Sequence, residues 1–579
     1  MERKPWQGDR WPQGVPYEIS GFDKPVYALL EDAARLYPDA TFTIFEGATR
    51  TFTQSWDAAQ RTAGFLASRG IEKGDRVAMF LPNLPQFPVI FFGILRAGAV
   101  AVTCNPLYTA RELHKQLLDS GAKALFVMDH PQFYATACEA IAGTGVETLV
   151  YANLKAWLPP LKGFLGGLLG KIPKADSHQA GHLSYDQVLK STPPQPPAVS
   201  IDPNQDLALI IYTGGTTGVP KGAALLHRSL VYNSQATEIW VQLPPDKPGG
   251  PYQRYRPGGA ETFLGVLPWY HSFGLTLCLL NSVRTGSRLV CIPDPRAGKP
   301  PFTPVLEAIQ NYKCTAVIAV PTIFTAMIHH PLVGNFDLTS IRACGSGGAP
   351  LPVEVLRQFE EKTGSIIFEG YGLSETSPVL TVNPTDPETR KVGTVGLPLP
   401  DTDIAIVDLD TGTTTLPLGE DGEIAGSGPQ VMVGYWNRPD ADAEVFREID
   451  GQRYFLTGDI GHLDEDGFLT ITDRKKDLIL VGGFNAYPRE IEEVLYTHPK
   501  VQAAAVIGVP DPRSGEKVKA FVQLKAGAEA TEEEILEFCR ENLTGYKRPR
   551  EVEFRDQLPV SAVGKVLRRV LRAEEIGKK

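Results

Sequence analysis

Between residue 26 and about residue 150, the apolar positions switch repeatedly between two spacings. Residues 29–37 and 55–69 place them every three or four positions, the period of an amphipathic helix, and 88–97 is a denser apolar run of helical length. Residues 76–81, 100–104, 124–128 and 148–151 are short continuous apolar runs, which predict buried strands. Thr109-Ala-Arg-Glu112 reads as a capping box opening another helix. Helix and strand in alternation predict a parallel sheet covered by helices. Residues 207–211 predict a further strand and 228–240 a helix. Strand patterns return at 263–267, 288–292, 316–320 and 365–368 with helical stretches between them, so a second helix-covered sheet is expected. Residues 173–206, rich in Pro and Ser, read as a connecting stretch, and 244–259 as a Pro/Gly-rich surface loop.

From 394 to about 473 the texture changes. Short alternating runs at 403–408, 422–426 and 467–472 are separated by Asp-Gly and Gly-Glu turns, which predicts an antiparallel sheet or small barrel. The charged cluster Asp473-Arg474-Lys475-Lys476-Asp477 then interrupts the pattern. After it come a helix at 488–495, strands at 501–509 and 517–524, and a capped helix opening at Thr531. The expected architecture is α/β. A large N-terminal domain (1–472) combines two helix-covered sheets with a small β-barrel-like sheet. A hinge (473–477) joins it to a small α+β C-terminal domain (478–579).

Composition narrows the classes. The 579 residues are too many for one core. The net charge of −10 and the lack of a long basic run argue against nucleic acid as a partner. Seven cysteines are scattered without a CxxC pair, as expected of reduced thiols in a cytoplasmic protein. The first residues are polar and predict no signal peptide. The most apolar window, 87–104, contains Pro88 and Arg96 and reads as a buried helix and strand. Residues 157–174 are less settled, since they mix bulky apolar side chains with Lys162, Lys171 and Lys174, and their uncharged centre is too short to span a bilayer. They read either as a surface loop or short packed helix, or as a patch that dips into a membrane surface and gives peripheral membrane contact. A homodimer is compatible with the sequence.

The candidate chemistry begins at 212–222, YTGGTTGVPKG, directly after a predicted buried strand. Gly214, Gly215 and Gly218 let the backbone approach a ligand and turn N–H groups inward. Thr213, Thr216 and Thr217 add hydroxyls, and Lys221 adds positive charge. That is the chemistry of a phosphate cradle. It is not the Walker loop, because Pro220 precedes Lys221 and Gly222 follows it.

Further strings follow in order: Leu267-Pro-Trp-Tyr-His271, Gly345-Ser-Gly-Gly-Ala-Pro350, Glu369-Gly370-Tyr371-Gly372-Leu-Ser-Glu375-Thr376, Leu456-Thr-Gly-Asp459, Asp473-Arg474-Lys-Lys476-Asp477 and Pro559-Val-Ser-Ala-Val-Gly-Lys565. With the cradle, they resemble the adenylate-forming acyl-activating enzymes over nearly the whole chain. Residues 478–495, LILVGGFNAYPREIEEVL, are most similar to bacterial long-chain fatty acid–CoA ligases.

The resemblance implies a reaction and a set of roles. A fatty acid carboxylate attacks the α-phosphate of ATP and pyrophosphate leaves. The thiol of coenzyme A then takes the acyl group and AMP leaves. Thr213 to Gly218 and Lys221 would hold the β- and γ-phosphates, and Glu375, with Thr213, would bind Mg2+. Thr376 would touch the α-phosphate. Tyr371 would stack on adenine, with Gly347, Gly348, Ala349 and Pro350 as the other wall and Glu369, Gly370 and Gly372 beside it. Asp459 would accept the ribose hydroxyls, assisted by Arg474. Lys565 would bridge the carboxylate and the α-phosphate. Lys476 would be the pivot of a domain rotation that withdraws Lys565 and brings up Gly482, Gly483 and Phe484 for the pantetheine arm. His271 lines the acyl pocket in this resemblance, or it is a satisfied core histidine. Rival readings are the same chemistry on an aryl or short-chain acid, loading of a carrier protein, and a non-catalytic nucleotide-binding scaffold.

Overall fold

The structure is a computed structural model, and it describes residues 4–213, 220–243, 253–481, 484–511, 513–561 and 566–577. Among these residues two large sheets form the body. The eight-stranded sheet runs Gly434–Tyr435, Lys221–Leu226, Leu207–Thr213, Val100–Thr103, Arg76–Phe80, Ala124–Met128, Thr148–Ala152, Leu183–Ser184. Its central strands are parallel, and their unbroken apolar runs are buried on both faces. The nine-stranded sheet is parallel from Thr41–Phe45 through Arg288–Cys291, Thr262–Gly265, Ala316–Ala319 and Ala343–Ser346 to Ile367–Gly372. Helices cover both, and one contiguous apolar cluster joins them.

The capping box at Thr109 is present in full: the hydroxyl accepts from the Glu112 amide, and the Glu112 carboxylate accepts from the Thr109 amide. One element was not expected, and one expectation needs correction. The hairpin Thr41–Phe45/Ala48–Thr51 closes one edge of the nine-stranded sheet and was not foreseen. The stretch 173–206 is not a bare connection. It carries strand Leu183–Ser184 and helix Tyr185–Ser191, whose Tyr185 ring is fully buried with its hydroxyl on Thr62 at 2.8 Å. One buried aromatic on a short amphipathic turn fixes a segment whose composition is otherwise that of a linker.

The third sheet is antiparallel: Asp403–Val407, Gly422–Ser427, Gln452–Leu463 and Phe446–Ile449, with Leu469–Arg474 on the far part of the long strand. The fourth begins at Ile479–Val481 and includes Phe484–Ala486, Val501–Asp511, Gly515–Leu524 and Glu551–Phe554. Its residues bury a separate core, with Ile491, Leu495, Val506, Val518, Ile535 and Cys539 among them. The large N-terminal body of sheets and helices and the small α+β C-terminal unit are thus as expected.

Candidate functional site

Strands Leu207–Thr213 and Lys221–Leu226, which flank the glycine-rich string in sequence, pair antiparallel, with Thr213 and Lys221 facing each other at their end. The cradle therefore joins two antiparallel strands and does not lead into a helix. Gly214, Gly215, Thr216, Thr217 and Gly218 lie outside the described residues. The Thr213 hydroxyl is 3.4 Å from the Lys221 carbonyl oxygen. Lys221 sits over the Tyr435 ring at 5.1 Å and 3.7 Å from Glu444.

Tyr435 was not foreseen. Its two-residue strand pairs with the strand of Lys221, Tyr435 opposite Ala223. From there its hydroxyl donates to Glu375 Oε1 at 2.9 Å. Burial, with the Glu375 charge beside it, pushes the Tyr435 phenol above its ordinary range. The phenol thus ties the cradle lysine to the carboxylate expected to hold a metal. Only the string Gly434-Tyr435-Trp436 hinted at it, since the pairing joins positions some two hundred residues apart.

Glu375 sits in the single turn Ser374–Thr376, just after strand Ile367–Gly372. Its carbonyl accepts from the Met432 amide at 2.8 Å, which fixes the turn against the neighbouring chain. The Thr376 hydroxyl is directed inward, accepting from the Leu373 amide at 3.0 Å and donating within the same turn. Gly372 is dictated by packing: a Cβ there would lie 1.8 Å from the Pro378 carbonyl oxygen. Gly347 is held likewise, its missing Cβ 3.1 Å from both the Gly370 carbonyl oxygen and the Phe273 ring. Gly348 takes φ +78°, the left-handed region where glycine is favoured, so the Gly347-to-Pro350 string bends beside the strand of Tyr371.

Tyr371 donates to Asp459 Oδ2 at 2.7 Å, and Arg474 meets Asp459 Oδ1 at 3.1 Å. Asp459 and Arg474 are directly opposite in antiparallel register, so the sheet itself makes this pair. Tyr371 and Asp459 are both buried. Burial and the Asp459 charge hold the Tyr371 phenol well above its usual range, and the same charge raises the Arg474 guanidinium. Glu369, two residues before Tyr371, is pushed up to about 7 by burial, against the opposing pull of Arg489.

His271 precedes a short helical turn, its Nδ1 accepting from the Phe273 amide at 3.3 Å. A π-helical segment, Leu275–Leu280, follows, and Thr276 donates to the Ser377 carbonyl at 2.7 Å. That segment therefore packs onto the turn bearing Glu375.

Lys565, Gly482 and Gly483 lie outside the described residues. The loop leading to Lys565 is closed at its base by the pairing of Val560 with Val566 and by the Leu567 amide on the Pro559 carbonyl at 2.8 Å. Arg568, next along, meets Glu492 at 2.6 Å and Asp477 at 3.1 Å, and Arg572 meets Asp477 at 3.0 Å. Lys476 is exposed, and its carbonyl accepts from Arg572 at 3.3 Å. Phe484 is exposed and stacks on Tyr546 with ring centroids 5.1 Å apart.

The donor set can be tested against Mg2+. Among the described residues no group of three His, Cys, Asp or Glu side chains could cage a metal. A single buried carboxylate beside a phosphate cradle is the pattern that Mg2+ takes when phosphate oxygens and water complete its shell. The residues present fit that mode of binding.

Comparisons with known proteins agree with this geometry. The family model described as AMP-binding enzyme matches residues 30–436, and that of the AMP-binding enzyme C-terminal domain matches residues 490–565. A long-chain-fatty-acid–CoA ligase of Bacillus subtilis (strain 168) is 40% identical over 587 aligned positions, covering 99% of this chain and 99% of that protein. One from Yersinia pestis is 41% identical, covering 98% and 97%. Among solved structures, an anthranilate CoA ligase in complex with anthranoyl-AMP superposes with a TM-score of 0.81 at 26% identity, covering 96% of this chain and 98% of that one.

Proposed function

The chain belongs to the AMP-binding enzyme family, and we propose that it is an ATP-dependent, AMP-forming ligase that converts a medium- to long-chain fatty acid to its coenzyme A thioester. In the first step a carboxylate oxygen attacks the α-phosphorus of ATP and the bond to pyrophosphate breaks. In the second, the coenzyme A sulfur attacks the acyl carbon, its proton is lost, and AMP departs with the acyl–oxygen bond pair.

The observation that carries this reading is the convergence of Lys221, Tyr435 and Glu375 beside the Tyr371–Asp459–Arg474 chain. Bringing two anions together needs fixed positive charge and donors where the negative charge develops. Lys221 and the glycine-rich turn meet the departing phosphates. Glu375 with Thr213 would hold Mg2+, which when bound would supply charge neutralisation to the phosphates. Asp459 takes the ribose hydroxyls. Its Oδ2 accepts from Tyr371 and its Oδ1 faces the Arg474 charge, and a carboxylate has acceptor capacity beyond these for a ligand. Tyr371 is thereby oriented through its hydroxyl, leaving its ring face for adenine. Lys565 brings its ammonium to the attacking carboxylate and the α-phosphate.

One site performing two reactions requires Lys565 to come and go. We further propose that residues 1–472 form the ATP- and acyl-binding unit, 473–477 the hinge and 478–579 the moving unit. Asp473 and Arg474 still pair in the third sheet as the end of strand Leu469–Arg474, which leaves the turning itself to Lys475, Lys476 and Asp477; beyond them Ile479–Val481 starts the fourth sheet, and the separate cores of the two sides support the division. ATP–pyrophosphate exchange over fatty acids of eight to eighteen carbons tests the activity. Exchange dependent on one or more of these acids is the expected result. Its absence with all of them removes the substrate assignment.

A further inference from the structure

Helix Pro160–Leu168 is built inside out. Its small residues face the body of the protein: a Cβ on Gly163 would lie 2.8 Å from the Lys155 carbonyl oxygen, and one on Gly166 would lie 3.0 Å from Ile172. Its large residues face solvent. Leu161, Phe164, Leu165, Leu168 and Leu169 fall at i, i+3, i+4, i+7 and i+8, one continuous stripe, and are 43% to 73% exposed. A helix packed by ordinary folding logic has the reverse arrangement. Glycine inside a helix also costs about 1 kcal/mol relative to alanine, so this stretch is a poor choice for a merely structural helix.

Charge says what the stripe meets. From residue 148 to 175 the chain contains Lys155, Lys162, Lys171 and Lys174 and no Asp or Glu, in a protein whose net charge is −10. All four lysines are exposed. Lys162 touches Glu46 at 3.2 Å, but both side chains remain 59% exposed, so its charge is well hydrated. The mount is firm: Trp157, immediately before the helix, is buried, with the Arg50 guanidinium 3.7 Å from its ring centre. Apolar side chains on one face with lysines around them, and no acid in the stretch itself, match an anionic lipid surface: the stripe enters the acyl boundary while ammonium groups remain with the head groups. Among the described residues no helix is long and apolar enough to cross a membrane, so the contact is a surface one.

We propose that helix Pro160–Leu168 with its flanking lysines is a docking element for anionic phospholipid bilayers. The test is co-sedimentation with phosphatidylcholine vesicles, with and without phosphatidylglycerol, using the full chain. It reads binding alone and is independent of the ligase assignment. The wild-type protein should bind the anionic vesicles and bind neutral ones more weakly. The variant F164S/L165S/L168S should lose on the order of tenfold or more in partitioning. The variant K162Q/K171Q/K174Q should lose roughly fivefold per lysine on anionic vesicles and little on neutral ones. Circular dichroism and ATP–pyrophosphate exchange at wild-type levels establish that both variants are folded. Failure of the wild type to bind either vesicle, or equal binding by the serine variant, overturns the proposal. So does sedimentation equilibrium showing that the serine variant abolishes self-association while vesicle binding is absent, because the stripe would then cover a second copy of the chain.

Discussion

The nucleotide cluster and the C-terminal unit are held in place by different means. In the first, backbone register does the positioning: Asp459 opposite Arg474, Tyr435 opposite Ala223, and Thr213 opposite Lys221. These placements cannot change without breaking a sheet. In the second, helix Arg568–Gly577 packs Leu571 into a core with Ile507 and Phe521, and Arg568 and Arg572 tie that unit to Asp477 of the hinge by side-chain ion pairs. Ion pairs can be exchanged for others without unfolding anything. A fixed grip on the nucleotide and an exchangeable tie between the lysine's unit and the hinge are what a two-step reaction at one site calls for.

The sharpest way to break this contrast is Lys565→Ala. Adenylation should fall on the order of a thousandfold or more, because the charge that meets two anions is gone. Conversion of supplied acyl-adenylate to thioester should be nearly unchanged. Equal loss of both half-reactions, measured separately, would mean that the lysine does not come and go. On the fixed side, Asp459→Asn removes the charge between Tyr371 and Arg474. The KM for ATP should rise about ten- to a hundredfold, a range set by losing a charge-assisted hydrogen bond from each ribose hydroxyl. An unchanged KM would take the ribose away from Asp459.

The same contrast explains what could be read in the sequence. Alternating periods revealed both helix-covered sheets, and Thr109 with Glu112 displayed a helix start within four residues. Local chemistry is visible locally. The cradle was visible from its residue types alone, and the Tyr371-to-Thr376 string because its backbone needs glycine, as the 1.8 Å approach at Gly372 shows. Tyr435 was not visible, because its role arises from a strand pairing across two hundred positions. Nor was the helix Tyr185–Ser191, whose stability rests on one buried aromatic among prolines and serines. In the sequence, residues 157–174 carry both of their readings; the structure adds a helix, Pro160–Leu168, whose Gly163 and Gly166 face inward.

On the exchangeable side, Arg568→Ala leaves the mostly buried Glu492 without its cation and Asp477 with Arg572 alone. The C-terminal unit should lose about 3 kcal/mol, the usual scale for removing one partner of a buried pair. Adenylation should fall by about tenfold, a ΔΔG‡ near 1.4 kcal/mol, through misplacement of the lysine loop. Hydrogen exchange along Val501–Asp511 and Gly515–Leu524 reads the first effect, and pyrophosphate exchange the second. If protection there is unchanged while both half-reactions drop together, Arg568 acts on chemistry and not on position.

The smallest effect lies where the two regions meet. The Glu369 carboxyl on the nucleotide side faces the Arg489 and Arg390 charges, with Glu493 beyond, and burial pushes it up to about 7 from an ordinary 4.5. Asp473 is likewise pushed up by burial, to about 6 from 3.8, and is held by the Arg489 amide at 2.9 Å. Between the unfolded and folded values the native state binds more protons than the unfolded chain, so stability falls as pH rises through that window. Glu369 alone accounts for about 3 kcal/mol lost between pH 4.5 and 7, at 1.36 kcal/mol per unit. Glu369→Gln keeps the shape and removes the titration. Its unfolding midpoint at pH 8 should exceed that of the wild type, and its slope against pH from 5 to 7 should be roughly halved, Asp473 supplying the remainder. An unchanged slope would mean that Glu369 stays ionised in the fold, with Arg489 strong enough to outweigh burial, and the meeting of the two regions would then be an ion pair like those around Asp477.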